Sequence, residues 1–192
     1  MVKGFNGKIL HVDLTAGKTW VEQPSDAFYR RYMGGQGFIG YYLLKEVPKG
    51  ADPLGPENRL IFAPGAITGI PVAGAGRSAV GGKSPLTGLY GEADMGGFFG
   101  AELKRAGYDA VVIQGKAAKP VYLWIKDGEV QIRPAEHLWG KKTNETQEAI
   151  RQELGDKRIQ VGMIGPAGEK LARIACVMDG LVHSAGRTGM GA

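Results

Sequence analysis

The sequence predicts an α+β fold, duplicated into two related halves, each a mixed β-sheet with helices. Three observations lead there. Residues 7–22 and 120–133 each alternate apolar and polar side chains around a glycine turn, the period of a half-exposed β-hairpin. After each hairpin a polar, proline-containing link leads into a helix, then a short apolar strand ends in RLIFAPG or VGMIGPAG. Glycine is the third observation: 32 of 192 residues, far above the usual share of about 7%. It crowds into residues 74–107 and the last ten positions.

In chain order, GKILHVDLTAGKTWVE is the first hairpin, turning at TAGK. Pro24, Ser25 and Asp26 open a helix over 27–33, GGQG interrupts it, and FIGYYLLKEV resumes the helical pattern as far as Pro48. RLIFA is a short buried strand. Residues 74–107 read as a glycine-rich loop running into a helix, with Asp94 near the N-cap, Gly96 and Gly97 in a bare first turn and Gly107 at the C-terminal stop. A bare helix start favours phosphate. YDAVVIQ is a buried strand, KPVYLWIKDGEVQIRP a hairpin turning at Asp127 and Gly128, and 144–154 a helix that shows Glu145, Glu148 and Arg151 to solvent before Gly155. RIQVGMIG and LARIACVMDG are two further strands. The repeats fall at about 5–116 and 117–192, within one domain spanning 1–192. The second repeat ends where the first has its last helix and strand, so the chain reads as a fragment of something longer.

Composition narrows the function. A net charge of +5 suits an anionic ligand. The lysines and arginines are scattered, however, and no strand interleaves them with aromatics, so nucleic acid is not expected. A single cysteine, Cys176, excludes an internal disulfide and by itself cannot hold an iron–sulfur cluster, which suits a reducing cytoplasm. The first residues lack an apolar signal core, and no apolar run has the length of a membrane span. GAGRSA at 74–79 has the letters of a dinucleotide fingerprint without its strand and helix. GKS at 82–84 imitates a phosphate loop, but Pro85 stands where a helix must continue.

The run GRSAVGGKSPLTGLYGEADMGGFFGAELKRAGYDAVVIQGKA resembles the N-terminal domain of the tungsten-containing aldehyde ferredoxin oxidoreductases. So do GFNGKILHVDLTAGK before it and IRPAEHLWGKKTNETQEAIRQELGD, IGPAGEKLARIACVMDG and AGRTGMGA after it, in the family's order and over essentially the whole chain. The resemblance implies the base of a three-domain enzyme, a floor under a tungsten (or molybdenum) bis-pterin whose two phosphates are bridged by magnesium. Main-chain carbonyls of Asp94 and Ser184 would hold that magnesium. Arg77 would stand between pterin and a 4Fe-4S cluster, with residues 183–189 as the second cofactor loop and Arg187 as its cation. The implied cofactor contacts are Arg77, Ser78, Lys83, Ala93, Asp94, Met95, Gly96, Gly97, His183, Ser184, Ala185, Gly186, Arg187 and Gly189. Two positions depart from the family: Asp94 where asparagine is common, and His183 where arginine is common.

The implied reaction takes aldehyde and water to a carboxylic acid, passing two electrons to ferredoxin. Cluster cysteines and acid–base residues would lie beyond Ala192, so no catalytic residue is assigned here and the fragment alone is expected to be inactive. Expected partners are the chain's own later domains, ferredoxin, an aldehyde and further copies of the protein. A non-catalytic pterin-binding or subunit-docking module of a split or related complex is the alternative. Among individual residues, Gly96, Gly97, Gly186 and Gly189 read as sites of close cofactor approach, and Lys83 as a phosphate or carboxylate partner. Met95 reads as filler or as packing under the cofactor. Cys176 reads as a buried thiol on a strand, His11 and His137 as structural, and Trp20, Trp124 and Trp139 as core or interface anchors.

Overall fold

The computed structural model describes residues 3–192. The first hairpin forms as its alternation requires: β1 (Ile9–Asp13) pairs antiparallel with β2 (Lys18–Glu22). Ser25 caps α1 (Asp26–Tyr32) by accepting the Phe28 N–H. The GGQG segment proves to be the start of a second helix rather than a gap in the first. Left-handed Gly34 and Gly35 turn the chain straight into α2 (Gly35–Glu46).

β3 (Leu60–Pro64), β4 (Ser78–Lys83), β5 (Tyr90–Met95) and β6 (Ala110–Gln114) complete a six-stranded sheet in the order β2-β1-β6-β3-β4-β5. Its one parallel pair is β1 with β6, joined through everything between them, including α3 (Phe99–Arg105). α2 covers one face, burying Phe38, Ile39 and Tyr42 against Ile9, Ile61, Ala63 and Ala110. On the other face Leu10, Val12 and Val111 meet Leu103 and Tyr108, and Val80, Ala93 and Met95 meet Val177, Ala185 and Met190. Central strands covered on both sides explain why RLIFA and AVVIQ are apolar without alternation.

The second hairpin, β7 (Val121–Lys126) and β8 (Glu129–Pro134), turns through left-handed Asp127 and Gly128, the geometry of a type I′ turn. α4 (Thr143–Leu154) ends on left-handed Gly155. Beyond it the structure departs from the expected strands. β9 is only Gly162–Met163, residues Pro166–Glu169 form a short helix α5, and β10 is only Val177–Asp179. Pro166 at the first helical position and Gly168 wedged against Ile164 turn the chain where an extended strand was expected. β11 (His183–Ala185) completes a three-stranded antiparallel sheet in the order β11-β10-β9.

Several single residues also differ from expectation. Cys176 precedes β10 and is half-buried, its Sγ 3.7 Å from Met178 Sδ. Arg151 does not face solvent freely, because its guanidinium donates to the Ile159 carbonyl. Trp20 and Trp139 are exposed and so are not core anchors, and Trp20 stacks on His11. His11 is structural as expected: it is buried, and Glu22 joins its Nε2 at 2.8 Å and the Tyr42 hydroxyl at 2.7 Å.

Candidate functional site

The largest correction lies in residues 74–107. Residues 78–95 fold as a β-hairpin, not as a loop, and two glycines within it, Gly81 and Gly91, serve packing between layers. A Cβ on Gly81 would stand 2.6 Å from Ile39 Cγ2 of α2, and one on Gly91 2.7 Å from Met190 Cε. Asp94 therefore sits on β5 and is not a helix N-cap. α3 starts instead at Phe98, which offers no capping side chain. Its cap comes from the other half of the chain: the Asp179 carboxylate accepts the Phe99 N–H at 2.9 Å.

Three stretches meet at that cap. Gly76 lies against the Gly97 carbonyl, with a Cβ there 3.4 Å from it, and the His183 ring lies over Gly96, where a Cβ would be 3.0 Å from Nδ1. β5 and β11 are edge strands of their two sheets and pack side by side. Each keeps one row of backbone N–H and C=O groups outside its ladder. Asp94 and Ser184 occupy matching places on them, each opposite the second residue of the neighbouring strand, Ala79 and Met178 respectively.

Arg77 and Arg187 are exposed, and among the described residues neither guanidinium has a hydrogen bond or ion pair. His183, Ser184 and Gly186 are exposed beside them. Ala93, Met95 and Ala185 are buried in the core that joins the halves, so only their backbones face the site. Ser78 is 4% exposed, and its Oγ is buried without a partner against Gly100, on the face away from α2. Lys83 stands at the far end of β4, with its ammonium given to the Ala51 carbonyl, and is not brought to the others. Gly96, Gly97 and Gly189 are small because protein atoms adjoin them: the His183 ring, the Asp179 carboxylate and the Arg173 carbonyl. At Gly74 a Cβ would project into open space, and at Gly186 only the Ser184 Oγ lies near.

A cavity of about 390 Å³ adjoins this surface, lined by the α2 start at 34–37, Arg77, Ser78 and Asp94. Sequence reasoning passed over its α2 wall, although GGQG ahead of an apolar helix marks a bare, positive helix end. Glu92, also unassigned from sequence, accepts a hydrogen bond from Gln36 Nε2 at 3.1 Å through one oxygen, and its other oxygen is buried and unpartnered. Burial, and then the Asp94 carboxylate two residues along the same face, push the Glu92 carboxyl above its ordinary value.

A raised acid favours the folded state below its unfolded pKa of 4.5, and that contribution is lost as pH rises through the folded value. Glu92→Gln is thus expected to stabilise this chain at pH 7 by about half a kcal/mol, since the group is only partly buried. The gain should vanish by about pH 4. Thermal unfolding at the two pH values checks this, and an equal gain at both would exclude the charge as its cause.

Two unpartnered guanidiniums offset negative charge, and edge-strand carbonyls are hard ligands of the kind magnesium takes. Among the described residues no three His, Cys, Asp or Glu side chains come together as a metal site. No helix among them is long and apolar enough to cross a membrane. Fold and site together define an α+β domain in which the edge strands β5 and β11 pack side by side, with the exposed Arg77 just before β4 and the exposed Arg187 just after β11.

Comparison with known proteins makes the class specific. The family model for the aldehyde ferredoxin oxidoreductase N-terminal domain matches residues 9–192. A tungsten-containing aldehyde ferredoxin oxidoreductase of Pyrococcus abyssi is 50% identical over 189 residues, covering 98% of this chain and 31% of the relative. An aliphatic sulfonate oxidoreductase, WOR-like subunit, of Pyrococcus furiosus is 36% identical over 203 residues, covering 98% and 32%. Among solved structures, the active site complex BamBC of benzoyl coenzyme A reductase in complex with 1,5-dienoyl-CoA is similar at TM-score 0.96 and 41% identity, over 100% of this chain and 29% of that one. The chain belongs to the aldehyde ferredoxin oxidoreductase family, as its N-terminal domain. It spans about a third of the length of the curated relatives it matches.

Proposed function

We propose that this chain is the cofactor-binding floor of a longer tungsten-pterin oxidoreductase that converts aldehydes to carboxylic acids with ferredoxin as electron acceptor. The pair of exposed, unpartnered guanidiniums flanking the β5–β11 join, in a chain of this family, carries the proposal. Bound there, a tungsten or molybdenum bis-pterin supplies the two-electron chemistry. The residues of this chain bind and orient it. Arg77 and Arg187 offset phosphate and pterin charge, and the exposed backbone at Gly74 and Gly186 admits close approach. Carbonyls of Asp94 and Ser184 hold magnesium between the halves. A 4Fe-4S cluster, acid–base groups and substrate walls come from later parts of the protein, so residues 1–192 alone are inactive. The working compartment is the cytoplasm, and the full protein works as an oligomer.

The two-part floor follows from a duplication. α2 and α4 each have 12 residues, each follows a hairpin, and each leads to three strands paired antiparallel in chain order, β3-β4-β5 and β9-β10-β11. On that alignment Asp94 and Ser184 are equivalent, which suits a ligand with two similar halves.

A second function is favoured by the benzoyl coenzyme A reductase likeness at 41% identity: the same floor in a multi-subunit complex acting on an aromatic thioester. Metal and pterin analysis of the anaerobically purified full-length protein tests both, and absence of tungsten or molybdenum with pterin would sink them. Aldehyde-dependent ferredoxin reduction separates them. Arg77→Ala and Arg187→Ala are each expected to lower retained metal and pterin roughly tenfold to a hundredfold, the loss of about 1.5–3 kcal/mol per charged hydrogen-bonding group. Unchanged retention in both would remove the guanidiniums from the site.

A further inference from the structure

We infer that Asp179 is the positioning residue that holds the two halves of the floor at a fixed spacing, an inference that rests on the cofactor-floor function. Asp179 belongs to β10 in the second half, yet its carboxylate accepts its hydrogen bond from the first. It is 2% exposed and accepts the Phe99 N–H, replacing the side-chain cap that Phe98 cannot give α3. Gly97, left-handed at φ +89°, lies so close that a Cβ there would meet the carboxylate carbon at 2.6 Å. On the same hairpin, Asp179 pairs across to His183, whose ring covers Gly96. One short strand pair thus grips residues 96–99 at two points, a buried acceptor and a ring. Burial pushes the Asp179 carboxyl up, while the Phe99 N–H and the nearby His183 draw it down.

The consequence concerns distance. Asp94 lies two residues before Gly96, and Ser184 one residue after His183, so the grip sets how far apart the proposed magnesium-binding carbonyls stand. The remaining join between the sheets beside Asp179 is apolar, through Val80, Met95, Val177 and Ala185; the other directional link, the Ser84 hydroxyl donating to the Thr188 carbonyl at 2.7 Å, lies at the far end of β4. Apolar contacts resist separation but tolerate sliding, because they have no direction. A charged acceptor on a backbone N–H fixes direction as well.

The test uses the full-length protein, purified without oxygen, as Asp179→Ala, Asp179→Asn and a destabilised control, Ile150→Ala, which empties part of the α4 core. Retained tungsten or molybdenum and pterin are measured per chain during gel filtration, together with hydrogen exchange of the Phe99 amide. Asp179→Ala is expected to retain roughly tenfold to a hundredfold less metal, the range seen when groups that orient metal ligands are removed. Its Phe99 amide should exchange faster. Asp179→Asn, which keeps one acceptor oxygen, should recover most of both losses, and Ile150→Ala should retain metal normally despite its lower stability. If Asp179→Ala keeps its metal and pterin as well as Ile150→Ala, the inference is overturned. If the unaltered protein carries neither, the cofactor-floor function is what fails; Phe99 exchange then still decides whether Asp179 joins the halves.

Discussion

Alanine at position 97 is expected to destabilise the chain by about 3 kcal/mol or more, through backbone strain and a displaced buried acceptor acting together. Gly97 has φ +89°, where an L-residue pays about 1–3 kcal/mol. The added Cβ would stand 2.6 Å from Asp179 Cγ, so the carboxylate must move. Moving it uncaps Phe99 and leaves a buried charge without its donor, a further loss of about 1–3 kcal/mol. Urea unfolding of the chain gives the number. A loss below about 1 kcal/mol would show that the carboxylate does not press on this glycine. Gly17→Ala is the control for strain alone: it too is left-handed, at φ +63°, but nothing lies within 4 Å of its Cβ position.

Phe38→Ala is the second large effect, at about 3–5 kcal/mol. Phe38 is fully buried on α2, with ring centroids 5.1 Å from Phe28, 5.7 Å from Tyr29 and 6.1 Å from Phe5. Its removal leaves a cavity where α1, α2 and the N-terminal segment meet, a site that rigid rings cannot refill. Domains of ordinary size have about 5–15 kcal/mol in total, so much of the chain would be unfolded at 37 °C. Leu44→Ala on the same helix is expected to change stability by less than about 0.5 kcal/mol, because Leu44 is 90% exposed. Thermal melts of the two variants side by side decide whether burial, rather than helix propensity, sets the loss.

The sequence by itself determined the elements whose signals are local. Both hairpins are written in period-2 alternation with a glycine turn, and α4 in its outward-facing Glu145 and Glu148 and its terminal Gly155. Gly107 is likewise a local stop, left-handed just beyond the end of α3. Family membership was legible too, because it rests on the order of many motifs and not on any one contact. Local signals failed where a residue answers to something distant in sequence. The glycines at 81, 82 and 91 look like loop chemistry, but they are small because Ile39, Arg59 and Met190 approach strands β4 and β5. Asp94 looked like a cap because a helix follows it, whereas the actual cap, Asp179, is 80 residues away from the amide it accepts. Lys83 has the right neighbours in sequence but stands at the wrong end of its strand. Only the tertiary structure decided these points. Alternation and capping act over a few residues, while close approach and the pairing of two edge strands depend on where the sheets meet.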